Sequence, residues 1–133
     1  MTKSEQTNIT TKHQKQSAVE FLRLVVAGEI ENAYQKYADF EGRHHNPFFP
    51  SGFQALQKAM MENHVQFPNK QLTVKHVLAE DDMVAVHSHI IFDPGKSGLA
   101  VVHLFRFHGE KIVEIWDMAQ QVPDDSPNKD GAF

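Results

Sequence analysis

Four β-forming runs follow one another between Gln71 and Gln121: "QLTVKHVLAE", "MVAVHSHIIF", "LAVVHLFRF" and "KIVEIWDMAQ". They are rich in β-branched and aromatic residues. Only Glu80-Asp81-Asp82, a stretch around Asp93-Pro94-Gly95 and "HGE" separate them. Connections this short cannot hold the helical crossover that a parallel pair requires, so the second half of the chain is an antiparallel meander.

The first half reads differently. From Ser17 to Ala27, Val19, Leu22, Val25 and Val26 recur at helical spacing, with Phe21 and Leu24 widening the stripe and Gly28 suited to a left-handed stop. A shorter helix is expected over Glu29 to Ala38, with Ile30, Ala33, Tyr34 and Tyr37 on one side. Pro47 and Pro50 exclude helix from "RHHNPFFPSG". Ser51 to Gln54 matches a capping box, and Phe53, Leu56, Ala59 and Met60 carry a third helix that ends before Pro68. Three helices followed by four strands make an α+β fold in which the apolar helix faces need the sheet as their partner. The expected organisation is a flexible polar N-terminus over residues 1–12, one domain over 13–121 and an irregular tail over 122–133.

With 133 residues there is room for one core. A net charge of −4 without a basic stripe argues against nucleic acid and anionic membranes as partners. The absence of cysteine removes thiolate chemistry and cysteine-bound zinc. With no signal-like or membrane-spanning apolar run, a cytoplasmic setting is expected. In "MVAVHSHIIF" both faces carry apolar residues, which suggests that a second copy of the chain covers the face turned away from the helices.

Asp117 stands among Val113, Ile115, Trp116, Met118 and Ala119. A carboxylate there is costly unless it is paired or its charge is used. One reading is structural, a buried acid hydrogen-bonded to its neighbours. The other is a general acid or base whose proton affinity is set by opposing desolvation and charge effects. His103 is the natural partner, and hairpin register decides whether the two share a face. A three-residue loop ending at Gly109 puts His103, Phe105, Ile115 and Asp117 on one side. A two-residue loop at His108-Gly109 puts Trp116 beside His103 instead.

Of nine histidines, His13, His64 and His108 read as solvated. His87 and His89 lie on one strand face and could serve as pocket polar groups. With His45 and His103 they could alternatively complete a metal site. One of His44 and His45 is expected to point inward, the other into solvent.

"HNPFFPSG", "VLAEDDMVAVHSH", "VVHLFRFHGEKIVEIWDMAQ" and "VPDDSPN" resemble the SnoaL-like polyketide cyclase family, within the nuclear transport factor 2-like and ketosteroid isomerase-like superfamily. The resemblance implies a cone-shaped barrel, with three N-terminal helices on a strongly curved, mostly antiparallel sheet, an apolar cavity and a dimer packed sheet to sheet. It also implies cofactor-independent acid/base chemistry on a small apolar carbonyl compound, with neither metal nor organic cofactor, and Asp117 as the acid/base. Many members carry a histidine two residues before that aspartate, where this chain has Ile115. His103 and His45 are therefore the expected catalytic partners, with His87, His89, Asn46, Phe105, Trp116 and Ile115 lining the pocket. Two other functions fit the same features. One is a non-catalytic dimeric ligand-binding module with Phe133 over the opening. The other is a metal-dependent enzyme using the four histidines His45, His87, His89 and His103.

Overall fold

Thr2 opens the first helix, α1 (Lys3–Val26), with a capping box in which its side chain accepts from the Glu5 amide and the Glu5 carboxylate accepts from the Thr2 amide. The structure is a computed structural model that describes residues 2–133. The helix therefore runs through the polar stretch read from sequence as a flexible lead. Its core-facing side is Gln14, Ala18, Phe21 and Leu22, a true 3.6-residue stripe. The buried Gln14 reaches the turn of the last hairpin, where its amide donates to the Gly109 carbonyl at 3.1 Å.

Gly28, at φ 91°, turns the chain into α2 (Ile30–Tyr37). It is also where the His64 ring packs: a Cβ on Gly28 would stand 2.2 Å from the His64 Nε2. β1 (Ala38–His44) follows directly, a strand that the sequence patterns did not reveal. A proline-bearing loop leads to α3 (Phe53–Gln66). Its N-cap is Gly52, without a side-chain cap, so the Ser51–Gln54 capping box is not formed. Gly42 of β1 lets this helix approach, since a Cβ there would strike the Phe53 ring at 2.1 Å.

The four remaining strands are β2 (Gln71–Glu80), β3 (Met83–Ile91), β4 (Leu99–His108) and β5 (Lys111–Gln121). The sheet has five strands in the order β1-β5-β4-β3-β2, and β1 runs parallel to β5 while all other neighbours are antiparallel. Helices pack on one face of this curved sheet, as the α+β reading required.

The inner face is dictated by alternation. On β3, Val84, Val86, Ser88 and Ile90 are buried and the residues between them are half-buried. Val84 pairs with Phe105, and Phe105 with Ile115. Above them, the Phe21 ring meets Tyr34 edge-on at 5.1 Å and Phe105 at 5.9 Å, and Tyr34 meets Phe53 at 5.8 Å. This aromatic stack joins α1, α2 and α3 to the sheet.

The outer face holds a different arrangement. Glu114, only 5% exposed, receives Arg106 at 2.9 Å, Arg43 at 3.1 Å and His45 at 2.5 Å. The hydrogen bond from His45 does most to hold its carboxyl below the usual range. Burial opposes this, while Arg106 and Arg43 reinforce it. Residues 122–133 contain no helix or strand. Phe133 does not cover an opening of the interior. It lies on the outer face, 4.6 Å from the His89 ring and 5.6 Å from the His87 ring, with Lys75 Nζ 5.2 Å over it.

Candidate functional site

The β4–β5 hairpin decides the site. Its turn is two residues long, with His108 paired to Lys111, and carried straight down the ladder that register would set Trp116 beside His103. A bulge intervenes. Phe107 pairs with Ile112 but Arg106 pairs with Glu114, so Val113 is the extra residue. Beyond it Phe105 faces Ile115, Leu104 faces Trp116, and His103 faces Asp117 directly. Neither loop considered from the sequence occurs as stated. The bulge restores the even-sum pairing that a three-residue loop would have produced. His103 and Asp117 therefore share the inner face with Phe105 and Ile115.

The loop after β1 supplies the third member. Asn46 Nδ2 donates to Asp117 Oδ1 at 3.0 Å and to Oδ2 at 3.2 Å. The amide is oriented because Asn46 Oδ1 accepts from the Phe48 N–H at 3.0 Å. His44 in turn fixes the loop. Its Nδ1 accepts from the Asn46 N–H at 3.1 Å, and its Nε2 lies 2.7 Å from the Pro50 carbonyl, which assigns the proton to Nε2. His44 is thus the inward histidine of the pair, and the two prolines shape a turn that aims Asn46 at Asp117.

Tyr34 of α2 is the fourth member. Burial, and secondly the charge of Asp117, push its phenol above the ordinary range, so it remains a protonated donor. His103 is moved the other way. Burial lowers its pKa to about 4, against the opposing pull of Asp117, so the ring is neutral near pH 7. Its Nδ1 is buried without a partner. Among the described residues the other buried side-chain atoms in that condition are Ser88 Oγ and His64 Nδ1. His64, read as solvated from sequence, is therefore anchored by its packing on Gly28.

The His103 shift makes stability depend on pH with a definite sign. In the unfolded chain His103 binds a proton below about 6.5, whereas the folded protein resists it until about 4. Stability is thus fully present above pH 6.5 and falls as pH drops toward 4, by up to about 3 kcal/mol. His103→Gln is expected to flatten the unfolding midpoint between pH 7 and pH 4.5 by that amount. An unchanged slope in urea titrations would show that His103 is not the group responsible.

Several sequence-assigned residues lie elsewhere. His45 stacks on Trp116 at 5.0 Å and hydrogen-bonds Glu114, so both aromatic groups belong to the outer face. His87 and His89 alternate with the buried Val86 and Ser88 and also point outward, where His87 Nδ1 lies 3.0 Å from His76 Nδ1 and His89 Nε2 lies 2.6 Å from the Ser97 carbonyl. The period-2 alternation of β3 and the opposition of Leu104 to Trp116 put these four on the face opposite to Asp117. The four-histidine metal alternative fails for the same reason: His103 is on one face, His45, His87 and His89 on the other. Among the described residues no group of three or more metal-ligating side chains converges. The sequence did not single out Tyr34 or Ser88, and it left open which of His44 and His45 points inward. Tyr34 and Ser88 read as ordinary helix and strand residues, and only "HHNP" marked the loop that His44 holds.

The clearest surface clefts, about 220 to 620 Å³, are not lined by Asp117, His103 or Asn46; the smallest of them is bordered by Tyr34 and Phe53 and opens beside β1.

The family model of the SnoaL-like domain matches residues 18–115. The chain belongs to the SnoaL-like domain family. The match ends two residues before Asp117, so it covers the scaffold and His103 but not that acid. No curated protein matches the sequence. Among solved structures, an NTF-2 like protein of unknown function from Burkholderia xenovorans superposes with a TM-score of 0.72 at 16% identity, over 90% of this chain and 91% of that one. A candidate ketosteroid isomerase from Kribbella flavida gives 0.69 at 18% identity, over 90% and 86%. A candidate polyketide cyclase from Acidithiobacillus ferrooxidans gives 0.66 at 18%, over 81% and 88%. These likenesses establish the shared fold. Among the described residues of this SnoaL-like chain, no helix is long and apolar enough to cross a membrane.

Proposed function

We propose that this SnoaL-like protein is a cofactor-independent acid/base enzyme that moves a proton next to the carbonyl of a small, mostly apolar compound. The observation that carries this reading is the direct opposition of His103 and Asp117 on the helix-covered face, with Asn46 bound to both carboxylate oxygens. Asp117 Oδ takes the proton from the carbon beside the carbonyl, and the C–H electron pair becomes the enolate with its charge on oxygen. The same proton is then returned to a different carbon, or the enolate carbon attacks a second carbonyl, whose C=O π pair moves onto its oxygen and takes the proton back from Asp117. Neutral His103 and protonated Tyr34 are the donors available to the developing oxygen charge. Phe105 and Ile115 keep the surroundings apolar, which strengthens those hydrogen bonds.

His45, His87, His89 and Trp116 have no part in this chemistry. The outer face that carries them, with Leu78 68% and Met118 54% exposed, is proposed to pack against a second copy of the chain.

Exchange of the C1 protons of 2-tetralone for deuterium, followed by NMR, tests the reading without knowledge of the natural substrate. The protein is expected to accelerate exchange above the buffer rate near pH 7. Exchange at the buffer rate from pH 5 to 9 would leave a binding module as the function of this fold. The position of the clearest clefts away from Asp117 is what favours that second reading.

A further inference from the structure

The outer face of the sheet is ordered in rows that run across the strands. One row pairs Leu78 with Ala85, Ala85 with Leu104 and Leu104 with Trp116. The next pairs His76 with His87, His87 with Val102 and Val102 with Met118. Their apolar members make a plate reaching from β2 to β5, on the side of the sheet opposite to the helices. A third row, with His89, Ala100 and Gln120, borders it. Onto these rows the segment 122–133 returns. It is tied down at its start, where the Val122 N–H donates to the Gly98 carbonyl at 3.0 Å and the Ser97 hydroxyl donates to the Asp124 carboxylate. At its far end the Phe133 ring rests on His87 and His89, with Lys75 Nζ 5.2 Å from the ring centre. Between the two holds lies a cleft of about 450 Å³, bordered by Ala100 and Gln120 of the sheet and by Ser126 and Asn128 of the segment.

Thickness decides what this means for a second copy. Two sheets packed face to face stand roughly 10 Å apart, and the side chains of both facing surfaces fill that space. The Phe133 ring, with the backbone that carries it, is a further layer upon His87, in the row that ends at Met118. A second sheet cannot reach packing distance over β3 while that layer is in place. The seat of the ring is shallow. Phe133 is 38% exposed, and it rests on two imidazoles and an ammonium group rather than in an apolar socket. We infer that the segment 122–133 is an intramolecular cover of the outer face, which a second copy of the chain must lift before the two sheets can pack. Phe133 and the second copy compete for one row, so the cover sets the concentration at which the protein pairs. This inference rests on the reading of the outer face as the surface between copies, and adds to it a competitor built into the chain.

Sedimentation equilibrium of the full chain and its variants tests the inference. Phe133→Ala is expected to tighten pairing about tenfold, because the covered population that lowers the apparent affinity is lost with the ring. Removal of residues 122–133 should tighten it at least as much. Met118→Glu added to Phe133→Ala should return the protein to a monomer, which locates the pairing on the outer face. At a concentration where wild type is monomeric, Phe133→Ala should also shift the NMR signals of the His87 and His89 ring protons, since the aromatic ring beside them is gone. Unshifted histidine signals overturn the cover. So does equal pairing by wild type and Phe133→Ala that Met118→Glu abolishes, and that result leaves the outer-face interface standing. Weaker pairing in Phe133→Ala overturns the cover too, because the ring would then belong to the interface itself. Pairing that survives Met118→Glu, or a monomer in every variant, overturns the outer-face interface and the cover with it.

Discussion

Asp117→Asn is expected to lower the rate of 2-tetralone exchange by about 10²- to 10⁴-fold while the protein stays folded, the range that one positioned proton-transfer group contributes. The substitution keeps the shape of the side chain. An asparagine at 117 can turn its carbonyl oxygen toward Asn46 Nδ2, now 3.0 and 3.2 Å from the two carboxylate oxygens, so the link from β5 to the 45–50 loop survives. What is lost is the basic oxygen, because an amide cannot accept a proton near neutral pH. Circular dichroism and the urea midpoint should match wild type within about 1 kcal/mol, since one charge-assisted hydrogen bond is replaced by a neutral one. Asn46→Ala separates orientation from basicity: it leaves the carboxylate but removes its clamp, and an intermediate loss is expected. Full exchange activity in Asp117→Asn would dismiss the carboxylate as the base.

Phe105→Ala is expected to destabilise the fold by about 3–5 kcal/mol, lowering the thermal midpoint by about 10 °C or more. The ring is 0% exposed and is the piece of the sheet on which the helices rest, through Phe21 at 5.9 Å. It also lies 5.8 Å from the His103 ring with the planes 12° apart, so it is part of what keeps that imidazole dry. Truncation would leave a cavity beside His103 and let water reach it. The pKa of His103 should then rise from about 4 toward its ordinary value, because desolvation is the larger of the two influences on it. A variant that loses less than about 1 kcal/mol would mean the core refills the space from neighbouring residues.

Much of this architecture is legible in the chain because it follows from local rules. Period-2 runs joined by two- to seven-residue turns can only form antiparallel neighbours, and four of the five strands are found where those runs lie. α2 and α3 stand within a residue or two of their apolar stripes. Failures occur where local signals are weak or non-local contacts decide. The polar start of α1 has no strong stripe of its own, and Thr2 and Gln14 hold it through a cap and through the Gly109 carbonyl. β1, "ADFEGRH", carries glycine and three charged residues. It is a strand because the edge of β5 offers it a parallel ladder.

The candidate site divides along the same line. That Asp117 was costly and therefore worth explaining is a statement about one carboxylate among apolar neighbours, and composition alone suffices for it. Its partners were undecidable from sequence, since a single bulge residue, Val113, reverses which side chains share a face. The same parity places His87, His89 and Trp116 on the outer face, and it leaves His45 on Glu114. Side-chain direction in a strand has a period of two, so an error of one residue inverts every assignment beyond it. Residue types and spacing determined a three-helix, antiparallel α+β chain with an aspartate out of place. Only the folded sheet, by bulging at Val113 and bringing the Asn46 loop across β5, decided what that aspartate faces.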